Sequence, residues 1–235
     1  MSGWKARRFW TSVQIEDHPQ GFAVRLDGRP VKTPGKLELA VPTEALAKEI
    51  AREWEAQEGV IDPRSMPYTR AANSAIEKVT PQRAEVAEML AAYGDSDLTC
   101  YRADLPEALA QRQSEAWDPL LDWAAETFGA RLIPVQGVMH QPQPPAALAA
   151  LAAPVHAMIP WELTGFHDLV ALSGSLVIGL AAVRNHLSPR ELWDRSRIDE
   201  TWQEEQWGAD DEATAMADAK RADFFQAHRF FQLLT

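Results

Sequence analysis

The stretch 9–28, FWTSVQIEDHPQGFAVRLDG, decides the N-terminal fold. Phe9, Thr11, Val13 and Ile15 fall on one face of a period-two pattern. After His18-Pro19-Gln20-Gly21, Phe22, Val24 and Leu26 alternate with Ala23 and Arg25. Two alternating runs about a Pro/Gly turn predict a β-hairpin. Asp27-Gly28 tolerates positive φ and predicts a further reversal, after which Leu37, Leu39 and Val41 alternate with Lys36, Glu38 and Ala40 as another strand. The first forty residues therefore predict a small antiparallel sheet.

At Pro42-Thr43 the period becomes helical. Thr43 can cap, Leu46, Ile50 and Trp54 recur at helical spacing, and Gly59 stands where a helix would stop. A second helix is expected from Pro67-Tyr68 through Val79. Thr80-Pro81 supplies a cap and a first-turn proline for a third, ending near Tyr93-Gly94. Leu105-Pro106 opens another, with a restart at Trp117-Asp118-Pro119 in which Asp118 caps and Leu120, Trp123, Ala124 and Phe128 form the apolar stripe. Arg131 to Met139 is expected to be extended, and Gln141-Pro142-Gln143-Pro144-Pro145 a loop. Helices follow, broken at Pro160, near Ser173-Gly174-Ser175, at Ser188-Pro189 and at Gly208. The expected class is α+β: a mixed α/β domain over residues 1–80 with helices covering the sheet, then a mainly helical domain over 81–235.

A chain of 235 residues, 46% hydrophobic, can build one large core or two small ones. Its 34 Asp and Glu against 23 Lys and Arg give −11, a balance that phosphate backbones repel, so nucleic acid is not an expected partner. The single cysteine, Cys100, leaves stability to packing rather than an intrachain disulfide. The longest apolar run, Leu169 to Val183, spans roughly 15 residues, short of a bilayer crossing, and predicts a buried central helix. Met1 to Arg8 is polar and basic with no apolar run behind it, so neither a secretory signal nor a transit peptide is expected.

Catalytic templates fail one after another. Pro30 to Leu37 has Pro30 where a P-loop needs its first glycine and Leu37 where it needs a hydroxyl. No G-x-G-x-x-G follows a strand, and Ser173-Gly174-Ser175 with Gly179 is better explained by close helix packing than by a nucleophile elbow. The six histidines form no H-E-x-x-H and have no C-x-x-C beside them, so no metal site is expected. His167-Asp168 is the one local His–acid pair, but neighbours on a helix are expected to face different ways, so it is expected to have a capping or core-edge role. Cys100 has no base at useful spacing and is expected to be a buried small residue.

Nine tryptophans carry another kind of signal. Trp54, Trp117, Trp123 and Trp193 sit among apolar residues at helical spacing and are assigned to the core. Trp4, Trp10, Trp202 and Trp207 lie in polar company, as aromatic anchors of protein interfaces do. Residues 1–36 hold seven basic and three acidic side chains, whereas 190–235 hold six basic and eleven acidic, densest from Asp199 to Glu212. That stretch is either a solvated helix face or a receiver for a basic partner surface.

An ordered set of motifs spans nearly the whole chain. Phe9-Trp10, Val24-Arg25-Leu26-Asp27-Gly28-Arg29-Pro30-Val31-Lys32-Thr33-Pro34, Val41-Pro42-Thr43 and Ala51-Arg52-Glu53-Trp54 are followed by Met66-Pro67, Asp97-Leu98-Thr99-Cys100-Tyr101-Arg102, Trp117-Asp118-Pro119, Ser173-Gly174-Ser175 and Gln203 through Trp207-Gly208. The set resembles the assembly chaperones that bind the alpha subunit of F1-ATPase. The resemblance implies a mixed α/β piece followed by an orthogonal helical bundle, no catalytic turnover and no cofactor. It also implies a client, the free alpha subunit, whose interface is shielded until the beta subunit replaces the chaperone. The family's important acid precedes a Trp-Gly pair, which here places it at Asp199 or Glu200. Glu212, Trp202 and Trp207 are added as partner-binding residues, and Trp202-Gln203 stands where the family often has Tyr-Gln. A monomer of the bacterial cytoplasm, or of the mitochondrial matrix as a mature eukaryotic form, without membrane insertion, is expected. The alternative is a small-molecule enzyme using Cys100 or His167-Asp168 in a cleft between the two domains.

Overall fold

The structure, a computed structural model, describes residues 7–235. Its order is β1 (Val13–His18), β2 (Gly21–Leu26), β3 (Arg29–Pro30), β4 (Ala40–Val41), α1 (Glu44–Glu55), α2 (Pro67–Ser74), α3 (Arg83–Ala91), β5 (Tyr101–Arg102) and α4 (Glu107–Phe128). There follow β6 (Val135–Gln136), α5 (Pro145–Ala157), α6 (Pro160–Ser173), α7 (Leu176–Val183), α8 (Pro189–Ser196), α9 (Ile198–Trp207) and α10 (Asp211–Gln232). An antiparallel sheet followed by helices is an α+β fold. Contacts group the chain into two units: residues up to Arg83 with Pro160–Thr164 and Arg229–Thr235, and Ala84–Ile159 with Gly165–His228.

In the first unit β1 and β2 pair antiparallel from Val13↔Leu26 to His18↔Gly21, and Asp27 (φ 48°) and Gly28 (φ 77°) turn the chain into β3. The Asp27 carboxylate also accepts the Thr11 and Ser12 amides, which holds it below the usual carboxylate range. The strand predicted over Leu37–Val41 is shorter than its alternation: only Ala40–Val41 pair with β2, both buried, while Leu37 is exposed. Thr43 caps α1 by accepting the Leu46 amide. Its hydroxyl donates to the Leu233 carbonyl at 2.5 Å.

Leu46 and Ile50 of α1 pack into a core with Val24, Leu39, Val41, Tyr68 and Phe230. Trp10 is 3% exposed in this core and is not a surface anchor; its ring meets Trp54 edge-on at 5.2 Å. Trp4 lies outside the described residues. Glu53 is buried on α1 and accepts the Tyr68 and Thr69 amides and the Thr69 hydroxyl, so the start of α2 is capped by another helix. Burial pushes its carboxyl up, and those donors oppose the shift.

The predicted helix from Pro67 to Val79 is continuous, but its last turn, Ala75–Val79, is a π turn. Glu77 of that turn accepts the Gly35 amide and so ties down the loop between β3 and β4. Thr80 does not cap the next helix. Its hydroxyl donates back to the Ala75 carbonyl at 2.7 Å, and its backbone stays helical.

The second unit is built around Asp97, which is fully buried. It accepts the Thr99 amide and hydroxyl, the Ser175 hydroxyl and the Val177 amide at 2.6–2.9 Å. By accepting them, Asp97 satisfies donors at the start of α7 and of the short 3-10 turn Leu98–Cys100. The apolar run 169–183 is thus two helices, because Gly174 (φ 69°) and Ser175, the cap of α7, break it. All of Leu176–Ala182 is buried. A Cβ on Gly179 would sit 2.6 Å from the Val170 side chain.

The predicted restart at Asp118 does not occur. α4 runs unbroken through Pro119, Asp118 pairs with Arg102 at 2.5 Å, and the Trp117 indole donates to the Arg195 carbonyl. Proline inside a helix loses one hydrogen bond, and here the fully buried Trp117 and Leu120 hold the helix on either side. β5 and β6 pair in parallel, Tyr101↔Val135 and Arg102↔Gln136, the latter within the stretch predicted to be extended.

Asp97→Ala leaves four donors without an acceptor, and urea unfolding is expected to show a loss of roughly 3 kcal/mol or more; a loss under about 0.5 kcal/mol would refute the central role given to this carboxylate. Gly179→Ala is expected to cost about 1–3 kcal/mol by overpacking, read from the same titration.

Candidate functional site

α8, α9, the first turns of α10 and the middle of α4 surround a groove of about 720 Å3. A Ser188–Glu191 capping box starts α8. Trp193 of α8 is buried against Phe224 of α10, with ring centroids 5.7 Å apart. The Arg197 guanidinium lies 5.8 Å over the same indole. α9 ends at Gly208 (φ 90°), and Asp210 caps α10 by accepting the Ala213 amide. One residue of the acidic run therefore has a local structural task that the charge count alone did not reveal.

The residues singled out in the sequence fall into three settings. Asp199 is half-buried on the first turn of α9 and accepts the Gln113 side-chain amide at 2.5 Å. Gln113, itself buried, accepts the Ala103 backbone amide with its other end. Glu200 is half-buried and paired with Arg197 at 2.5 Å. Trp202 is half-buried, whereas Trp207 at the end of α9 is 78% exposed and Glu212 on the first turn of α10 is exposed. The five share one helix–turn–helix segment. Gln113 escaped the sequence reading because glutamine at a helix position carries no signal of what it touches eighty-six residues away.

Two further arginines of the groove hold acids, while Arg195 donates to the Ala116 carbonyl. Arg112 of α4 grips Glu205 of α9 through two bonds, 2.6 and 2.9 Å, and Arg221 pairs with Asp218 at 3.0 Å. The Arg112 guanidinium holds the Glu205 carboxyl below its ordinary range. From Gly208 to Asp223 every side chain but Ala217 is exposed, Met216 included. From Arg197 to Asp223 nine acidic side chains stand against three basic ones.

The sites an enzyme would use are poorly equipped. Cys100 is 1% exposed, and its thiol is pushed up to about 12, first by burial and then by Asp97. His167 and Asp168 do touch, contrary to the expectation of divergent neighbours: ring nitrogen and carboxylate lie 2.8 Å apart, and that hydrogen bond raises the imidazole pKa. Among the described residues, no three His, Cys, Asp or Glu side chains are grouped as metal ligands would be. No helix of the described residues is long and apolar enough to cross a membrane.

Residues 7–125 match the profile of the ATP12 chaperone protein family. The chain is 52% identical to Atp12 from Paracoccus denitrificans, whose crystal structure superposes with a TM-score of 0.96 over 99% of this chain and all of that one. An Atu1473 protein from Agrobacterium tumefaciens is 39% identical, with a TM-score of 0.93 over 97% of this chain and 86% of that one. The mitochondrial protein atp12 of Schizosaccharomyces pombe is 22% identical over 220 residues, 88% of this chain and 75% of that protein. With its sheet, its helices and half its length matched, the chain belongs to the ATP12 chaperone family, the assembly chaperones of F1-ATPase.

Glu205 is depressed by its partner, so the pair's contribution is present above the carboxyl's unfolded pKa and is lost as pH falls through the lower folded value. Thermal melts of the unmodified chain and of Glu205→Gln are expected to differ at pH 7 and to converge as acid protonates Glu205. A difference that persists at about pH 2, well below ordinary carboxyl values, would show that the pairing is not what separates them.

Proposed function

We propose that this chain captures the free alpha subunit of F1-ATPase and covers its assembly interface until the beta subunit displaces it. It acts as a monomer, without nucleotide, cofactor or bond chemistry, in the cytoplasm of a bacterium or in the mitochondrial matrix. The client-binding surface lies in the helical part, residues 81–235. It is the acidic segment of α9 and the start of α10, with Asp199, Glu200, Trp202, Trp207 and Glu212 as its contact residues.

The observation that carries this reading is the exposure of that segment. A helix whose first three turns bury almost nothing gains no packing from its own fold, and here it follows a 78% exposed tryptophan. An aromatic anchor among carboxylates suits a partner face that is apolar at its centre and basic around it. A surface that waits for its mate tends to aggregate, and a protein that binds it lowers the free concentration by mass action alone.

Light scattering of an aggregating alpha subunit is expected to fall stoichiometrically as this chain is added in the absence of ATP. Glu200→Lys should weaken capture about tenfold or more while the melting temperature stays within a few degrees. Asp199→Lys should do the same, and Asp199→Asn, which keeps an acceptor for Gln113 but no charge, separates client contact from support of the fold. Undiminished capture by both lysine variants would remove these residues from the interface.

A further inference from the structure

Among the described residues, four large apolar side chains are more than three-quarters exposed: Trp207, and then Leu105 at 81%, Val138 at 92% and Met139 at 77%. The last three belong to one place. Gln143, buried, binds both backbone groups of Ile133, accepting its amide at 2.7 Å and donating to its carbonyl at 2.9 Å. Its own amide donates to Asp95 at 2.8 Å. The ends of segment 133–143 are thereby closed on each other, which makes it an Ω-loop with Val138 and Met139 at its tip.

The flank beside that tip is equally fixed. The Gly137 amide donates to the Arg102 carbonyl at 2.8 Å, and a Cβ on Gly137, whose φ is 83°, would lie 3.0 Å from the Asp104 carboxylate. Leu105 follows Asp104 and Val138 follows Gly137, so the turn before α4 and the loop tip are neighbours through the Gly137–Asp104 approach, and each carries exposed apolar side chains. Asp104 and Glu107 are exposed at this edge and form no ion pair among the described residues. Nearby arginines are occupied, Arg102 by Asp118 and Arg131 by Asp122, and the His140 ring lies 3.3 Å from the Asp95 carboxylate. The patch is also wired to the acid of α9, because Asp199 holds Gln113 and Gln113 holds the Ala103 amide, two residues before Leu105.

We infer that Leu105, Val138 and Met139 form a second client-docking surface, which seats an apolar stretch of the unassembled subunit flanked by lysine or arginine. The inference rests on the client-capture reading above and extends it to a site with its own geometry. Two apolar side chains on a loop tied at its base and a third on the neighbouring turn are left in solvent by this chain's own core and gain burial when a partner covers them. The unpaired carboxylates at their rim select a basic flank. Asp199 then acts on this surface as a positioning residue as well as on its own.

The test uses the full chain and purified alpha subunit in a binding titration, with sedimentation of the chain alone. Leu105→Asn/Val138→Asn/Met139→Gln is expected to weaken binding about tenfold or more, with the melting temperature unchanged because these side chains are exposed. Asp104→Lys/Glu107→Lys should also weaken binding, with a smaller salt dependence than the unmodified chain shows. Full-strength binding by the triple variant overturns the second surface while the capture reading stands. No binding by the unmodified chain overturns both. Self-association that the triple variant abolishes, with capture intact, would make the patch a contact between copies and overturn the inference as stated.

Discussion

A carboxylate buried at the start of a helix that it does not belong to organises each unit of this protein. Asp97 accepts four donors at the entry to α7, and Glu53 accepts three at the entry to α2. The first turn of a helix leaves amides without intrahelical partners, and in a buried setting water cannot supply the missing acceptors. A carboxylate answers several of them at once and meets the positive end of the helix dipole. Burial opposes its ionised form, as the upward push on both groups shows, so the donors must stay in place for the arrangement to hold.

Asp97 and Glu53, the buried carboxylates among the described residues, are thus committed to the architecture. The cysteine beside Asp97 is held as a thiol, and the exposed His167–Asp168 pair has no third group to complete a catalytic relay among its described hydrogen bonds. The segment from Trp207 to Asp223 keeps its charge and its aromatic group in solvent, while Phe224, Ala227, Phe230 and Phe231 later on the same helix are buried. The helix thus packs by its second half and leaves its first half uncovered, the feature on which the proposed client contact rests.

Local chemistry was legible in the sequence. The hairpin about Pro19-Gln20, the turn at Asp27-Gly28, the Thr43 cap and the breaks at Pro160, Gly174, Pro189 and Gly208 all depend on residues within a few positions of each other. The misreadings involve distant partners. Trp10 looked like a surface residue because its neighbours are polar, but its ring meets Trp54. Asp118 looked like a cap until Arg102 claimed it, and Thr80 bonded backwards instead of forwards. For the candidate site, the resemblance supplied the neighbourhood of Asp199 and Glu200, while their different settings, one turned to Gln113 and one to Arg197, came only from the folded chain. The apolar loop tip at Val138-Met139 carried no warning in the sequence, since two hydrophobic residues in an extended run predict burial as readily as exposure.

The bond from Thr43 to Leu233, with Phe230 in the first unit's core, bears on how the protein is made. A ribosome releases the hairpin, α1 and α2 early, yet Phe230 and Leu233, roughly 155 residues or more after α2, are among those that seal the apolar interior they share. Until residues 230–233 have been made, that interior stays open at one side, and its apolar faces are exposed to solvent.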